Sequence, residues 1–222
     1  MTTGVHFEKA YSKQQIKNHL RPSYRHELVE YLFYFLRVFL VVALVFSLIR
    51  TFVFYTIGID GLSMNPNLQD QEIVYLDLLT PRFSDYRRGD IVVLRPPEGV
   101  FERENKLYIK RVIGLPGETV GYNEGEVIVY NRNYPDGITL TEPYLGDTVR
   151  TYKSIQKADR GFVEEPLGEG EYFVLGDNRT QSQDSRGFGE VQKGRIIGRV
   201  FFHLDADEGP RFFDLPRYNI AN

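Results

Sequence analysis

Cysteine is missing altogether from this chain of 222 residues. Without a thiol there is no disulfide staple, no thiolate metal site and no cysteine nucleophile. The compartment stays open, because an exported domain of this size needs no disulfide. Histidine is scarce, with His6, His19, His26 and His203 the only four. There is also no clustered His ligand set and no glycine-rich phosphate loop with lysine, so no metal, nucleotide or other cofactor is expected. A basic excess is absent as well: the net charge is -3, and residues 51–222 hold 20 basic against 27 acidic groups. Such an acidic bulk argues against nucleic acid as a partner, since phosphate binding needs a dense basic surface. Tryptophan does not occur, whereas Tyr, Phe and Gly number 15, 16 and 20. That balance suits a turn-rich β protein better than a helical bundle.

One long apolar run is present. Residues 31–49 (YLFYFLRVFLVVALVFSLI) have only Arg37 and Ser47 outside the apolar set, and a helix of that length reaches about 28 Å at ~1.5 Å per residue, enough to span a bilayer core. A core helix apolar on every face would be hard to cover in a domain this small. Arg37 lies within two turns of one end, so its stem can snorkel toward the headgroups. The run is too long and begins too late for a cleaved leader, and no small-x-small site precedes the polar sequence; it is read as a retained anchor over residues 31–50. Ahead of it, residues 1–26 set Lys9, Lys13, Lys17, Arg21 and Arg25 against Glu8. The positive-inside rule then puts the segment 1–30 in the cytoplasm and residues 51–222 on the trans side.

Beyond Arg50 the pattern changes to short apolar runs bounded by Gly, Pro and Asp, at 52–59, 73–79, 90–94, 107–113, 126–130, 171–175 and 195–204. Seven or more strands are implied, with no convincing helical period and no repeat, so the expected fold is mainly β, a single antiparallel domain behind a transmembrane helix. Residues 131–170 are polar and rich in turns and are expected to form a peripheral excursion.

Four blocks carry candidate chemistry. They are Gly61-Leu62-Ser63-Met64-Asn65-Pro66-Asn67-Leu68, then Arg88-Gly89-Asp90-Ile91-Val92-Val93, then Tyr108-Ile109-Lys110-Arg111-Val112-Ile113-Gly114-Leu115-Pro116-Gly117-Glu118, and last Gly176-Asp177-Asn178-Arg179-Thr180-Gln181-Ser182-Gln183-Asp184-Ser185-Arg186. A serine hydroxyl is a weak nucleophile and needs a base within hydrogen-bond reach. Three of the four histidines precede the apolar run and His203 lies outside every block, which disfavours a Ser-His-Asp triad. Lys110 serves instead if it is neutral, and burial in the apolar run Tyr108–Ile113 would lower its ordinary pKa of about 10.4. Lys110 and Arg111 occupy opposite faces of one strand, so one of them must point inward.

In order and spacing, the four blocks resemble the signature boxes of the type I signal peptidases, membrane-bound serine endopeptidases that remove signal peptides from exported preproteins. With the anchor, the resemblance covers about residues 31–200. It implies Ser63 as nucleophile, Lys110 as the inward-facing general base, and Ser182 as the serine that hydrogen-bonds and orients the amine. Asp177, Arg179, Asp184 and Arg186, with Arg111, would hold the last block against this dyad. Ile59, Met64, Leu68 and Tyr108 would line a pocket for the small residue before the cut, with Ile57 and Ile109 helping to form the next specific pocket. The Ser63 backbone N–H would stabilise the oxyanion. Gly61 stands where some members add a hydroxyl donor, so a second donor is unassigned. Asn67 and Gln181 replace the more usual Thr and Asn, and both substitutes keep hydrogen-bonding capacity. Preprotein signal peptides and the lipid bilayer are the implied partners, and the implied location is a plasma or thylakoid membrane. An inactive or organellar relative acting as a tethered binding or processing module would share the fold.

Overall fold

The computed structural model describes residues 23–52, 54–97, 106–146, 149–152, 165–205, 209–213 and 215–220. Lys9, Lys13, Lys17 and Arg21 of the basic flank lie outside the described residues. The apolar run forms α1 (Ser23–Phe52), which extends beyond it at both ends. Within α1, the stretch His26–Leu48 has a mean hydropathy of 2.3 and none of it is buried. With apolar side chains on all sides, no single stripe of this helix is set apart for packing. Residues 1–49 form one structural unit and residues 50–222 a second.

The second unit is mainly antiparallel β. Its strands are β1 (Phe54–Gly58), β2 (Ile73–Asp77), β3 (Ile91–Leu94), β4 (Tyr108–Gly114), β5 (Thr119–Asn123), β6 (Glu126–Asn131), β7 (Tyr134–Thr139), β8 (Glu171–Leu175), β9 (Val191–Gln192), β10 (Ile196–Asp205) and β11 (Gly209–Phe212). The larger sheet runs β1-β2-β10-β3-β4-β8-β9, with β11 beside β10; β5-β6-β7 form a smaller one. Two single-turn helices, α2 (Thr80–Phe83) and α3 (Ser185–Phe188), interrupt the strand pattern.

Continuous apolar runs became the strands covered on both faces. Every residue of β3 and β4 is buried. Val92, Leu94, Tyr108 and Val112 enter one core with Tyr172, Val174 and Phe188, while Ile91, Val93 and Ile109 enter another with Met64, Val74 and Leu76. A strand held between two cores is a rigid mount, and β4 carries Lys110 as its third residue.

Four strands were not foreseen: β5, β7, β9 and β11. β7 contains Pro135 and Gly137, which read as a turn. Gly137 has φ +82, and a side chain there would run into Tyr130 and Ile128, so the glycine is what lets β7 pair closely with β6. β11 includes Pro210 and is largely exposed, as an edge strand can be. The 131–170 stretch is consequently less peripheral than its polarity suggests. Leu140 and Leu167 are buried with Val120, Val127, Val129 and Phe173 in a third core, beneath the smaller sheet.

Candidate active site

Ser63 sits on a loop closed at its base. Ile59 N–H donates to Glu72 O at 2.8 Å and Gln71 N–H to Ile59 O at 3.0 Å. Inside the loop, Gly61 takes φ +118, open to glycine, and its N–H donates to Asp70 Oδ1 at 2.8 Å. Met64 and Leu68 are buried and anchor the loop to the core behind it. The nucleophile candidate itself is half-buried at the surface. Asn178 reaches across from the last block: its backbone N–H donates to Ser63 O at 3.0 Å and its side-chain amide to Leu62 O at 3.1 Å.

Lys110 is 2% exposed. By strand alternation it shares a face with Tyr108 and Val112, while Arg111 lies on the other with Ile109 and Ile113. One of the two cations was expected to point inward; in the structure both are buried, Arg111 at 4% exposed. Lys110 Nζ lies 2.7 Å from Ser63 Oγ, within a hydrogen bond, and donates to its neighbour's carbonyl, Ile109 O, at 2.8 Å. Burial disfavours the ammonium and brings the pKa down to about 8; the carboxylates of Asp184 and Asp177 work against that, while Lys106 and Arg186 add to it. The two groups are thus in contact, and the amine loses its proton far more readily than a solvated lysine.

The last block is held by charge pairs. Arg111 grips Asp177 with two bonds, Nε to Oδ1 at 2.8 Å and Nη2 to Oδ2 at 2.6 Å. Asp184 caps α3 through Arg186 N–H, pairs with the Arg186 guanidinium at 2.8 Å, and accepts from Gly176 N–H at 3.0 Å. Arg179 turns away to Glu142, whose carboxylate it meets with both Nη atoms, and to Thr151. Nothing in the sequence singled out Glu142. Asn67 donates to Asp177 Oδ2 at 2.9 Å and to Tyr144 O at 3.0 Å, so the residue that departs from the usual Thr ties two of the blocks together. Gly176 leaves no free room for a side chain, since a Cβ there would lie 2.5 Å from Ser63 O and against the Ser182 side chain.

Ser182 requires a correction. Its Oγ is buried and makes no hydrogen bond, so the contact to the lysine amine implied by resemblance is not formed. The amine's bonds go to Ser63 and Ile109 instead.

An open cleft of about 410 Å³ lies in front of the pair. Ile57, Ile59, Met64, Tyr108 and Ile109 line it together with Gln181 and Gln183. Leu68 does not, being wholly buried in the core with Ile59 and Met64. Tyr108 OH donates to Gln183 Oε1 at 3.0 Å, joining two of the lining residues. His203 is engaged elsewhere, 3.3 Å from Glu72 and stacked on Phe213. Among the described residues no cluster of three or more His, Asp or Glu could hold a metal ion.

Residues 32–204 match the family described as "Signal peptidase, peptidase S26". The chain is 38% identical to a signal peptidase I of Bacillus amyloliquefaciens over 171 residues, covering 73% of this chain and 84% of that one. With a signal peptidase I of Bacillus licheniformis it shares 35% identity over 178 residues, covering 77% and 89%. A solved structure of a signal peptidase I from Enterococcus faecalis, 31% identical, overlays with a TM-score of 0.40 and covers 52% of this chain and 97% of that one.

Proposed function

The chain belongs to the signal peptidase family, peptidase S26, and on that footing we propose that it cuts signal peptides from preproteins with Ser63 as nucleophile and neutral Lys110 as general base. The observation that carries this reading is the 2.7 Å contact between the Ser63 hydroxyl and a buried lysine amine. In the neutral state Nζ has a lone pair. The Ser63 hydroxyl donates its proton there while Oγ attacks the scissile carbonyl, and the ammonium so formed returns the proton to the departing amine. Breaking the peptide bond leaves an ester on Ser63 Oγ; the Lys110 amine, neutral again, takes a proton from water as the water oxygen attacks the ester carbonyl, and gives it to Ser63 Oγ as the ester bond breaks and the new carboxyl group leaves. Negative charge on the carbonyl oxygen would be met by the Ser63 N–H, for which no protein acceptor occurs among the described residues.

The apolar cleft walls at Ile57, Ile59, Met64, Tyr108 and Ile109 suit apolar side chains before the cut, and membership of the family implies small ones, hence cleavage after small-x-small sequences. Asp177, Arg179, Asp184 and Arg186, with Arg111, are assigned the bracing of the loop that faces the dyad, while Ser182, whose hydroxyl makes no bond to the amine, is given no orienting role. The exposed apolar helix α1 supports a single-pass anchor in a plasma or thylakoid membrane, with the N-terminus cytoplasmic and the β unit on the trans side.

The test is incubation of the detergent-solubilised chain with a preprotein, followed by sequencing of the product's N-terminus. A new N-terminus directly after a small-x-small triplet is expected, and no product with Ser63→Ala. Cleavage at unrelated positions, or by the alanine variant, would refute the reading.

A further inference from the structure

Tyr144 belongs to the polar stretch that sequence reasoning set aside, yet it touches one residue from each of three motif blocks. Its carbonyl accepts from Asn67 Nδ2 at 3.0 Å, four residues after Ser63. The face of its ring carries the Arg111 guanidinium, 3.9 Å from the centroid and one residue from Lys110. Its hydroxyl accepts from Arg179 Nη2 at 3.2 Å, three residues before Ser182, and donates to Glu142 Oε1 at 2.5 Å. Glu142 in turn meets both Nη atoms of Arg179. Behind the ring, Tyr218 packs edge-on at 6.3 Å.

We propose that Tyr144, backed by Glu142, is a positioning residue that keys the three blocks together and so sets the alignment of Ser63 with Lys110. The proposal rests on the Ser63/Lys110 reading above. Ser63 and Lys110 lie on separate elements, a loop and β4, and their 2.7 Å contact holds only while those elements keep register. Asp177 is shared between Arg111 and Asn67, so it joins β4 to the nucleophile loop. Tyr144 covers both of these partners: it fixes the plane of Arg111 with its ring and the rotamer of Asn67 with its carbonyl. A misplacement of about 1 Å in such an assembly can cost on the order of a hundredfold in rate without loss of binding. Neither Tyr144 nor Glu142 lines the substrate cleft, so substrate affinity should be left alone.

The test separates the ring from the hydroxyl. Tyr144→Phe keeps the ring on Arg111 and the carbonyl to Asn67 but drops the hydroxyl bonds. Tyr144→Leu drops the ring too. Glu142→Gln keeps the shape of the carboxylate and removes its charge. With the full chain in detergent, assayed well below each variant's Tm, kcat should fall about threefold or more in Tyr144→Phe and Glu142→Gln and about thirtyfold or more in Tyr144→Leu, with KM within about threefold of wild type in all three. If Tyr144→Leu does not fold, the other two decide.

Wild-type kcat in the folded variants would overturn the proposal. So would a rise in KM at constant kcat, or a loss that merely tracks the unfolded fraction. Ser63→Ala and Lys110→Met are run beside them. Should those two turn over normally, the dyad itself is wrong. Should they be inactive while the Tyr144 and Glu142 variants are not, only the positioning role fails.

Discussion

A lysine amine can take a proton from serine only when it carries none itself, and burial brings Lys110 down to about 8. Below that pH the ammonium has no lone pair; above it the base is ready. Hence kcat/KM should climb about tenfold per pH unit up to about 8 and then level off, whereas a solvated lysine would put the same limb near 10.4. A profile measured from about pH 6 to about pH 10 distinguishes the two. Ser182 gives a second prediction at this scale. Its buried hydroxyl has no hydrogen bond to lose, so Ser182→Ala should leave folding stability within about 0.5 kcal/mol and turnover within about threefold of wild type; a loss of about tenfold in a stable variant would mean that the hydroxyl orients the amine. A destabilised variant with full activity would mean that the hydroxyl is structural. The pairing of Ser63 with Lys110 was expected from the resemblance of the four blocks, since misplaced histidines disfavour a triad but do not by themselves pick out one serine and one lysine; in the structure the two side chains lie 2.7 Å apart. Leu68 was misread as a pocket residue because apolar side chains four apart in a loop look alike from the sequence, and only packing separates the wall (Met64) from the core behind it.

At the scale of elements, β3 and most of β8 were visible as unbroken apolar runs, and β4 as an apolar run broken only by Lys110 and Arg111, because strands covered on both faces need no polar alternation. β7 and β11 were hidden by Pro135, Gly137 and Pro210, residues that serve edge positions but read as turns. The partnership of Arg179 with Glu142 was illegible for another reason: 37 residues separate them, and nothing local marks Glu142 as buried against a guanidinium. The join between the last block and the nucleophile loop is equally tight and open to test. Gly176→Ala would push a methyl group to 2.5 Å from Ser63 O and into Ser182. Overpacking of this kind costs about 1–3 kcal/mol of stability, and because the strain falls on the nucleophile's own carbonyl, turnover should drop by more than the unfolded fraction explains. Denaturant unfolding and cleavage rates on the same preparation check this. Wild-type turnover would show that the two segments can separate without consequence.

For the whole molecule, charge and hydropathy divide the chain as its two structural units do, an apolar helix unit over residues 1–49 and an acidic β unit over 50–222. The expected topology has a direct check: protease added outside right-side-out vesicles should digest residues after Arg50 and spare a fragment containing α1. Recovery of an intact C-terminal unit, with the N-terminus digested, would reverse the orientation. The central claim, that a neutral Lys110 activates Ser63, is tested most directly by the turnover of the full-length Lys110→Arg variant on a preprotein. Arginine conserves the positive charge but stays protonated at every usable pH and cannot accept the serine proton. The account predicts a folded protein with no detectable cleavage up to about pH 10; wild-type turnover by that variant would contradict it.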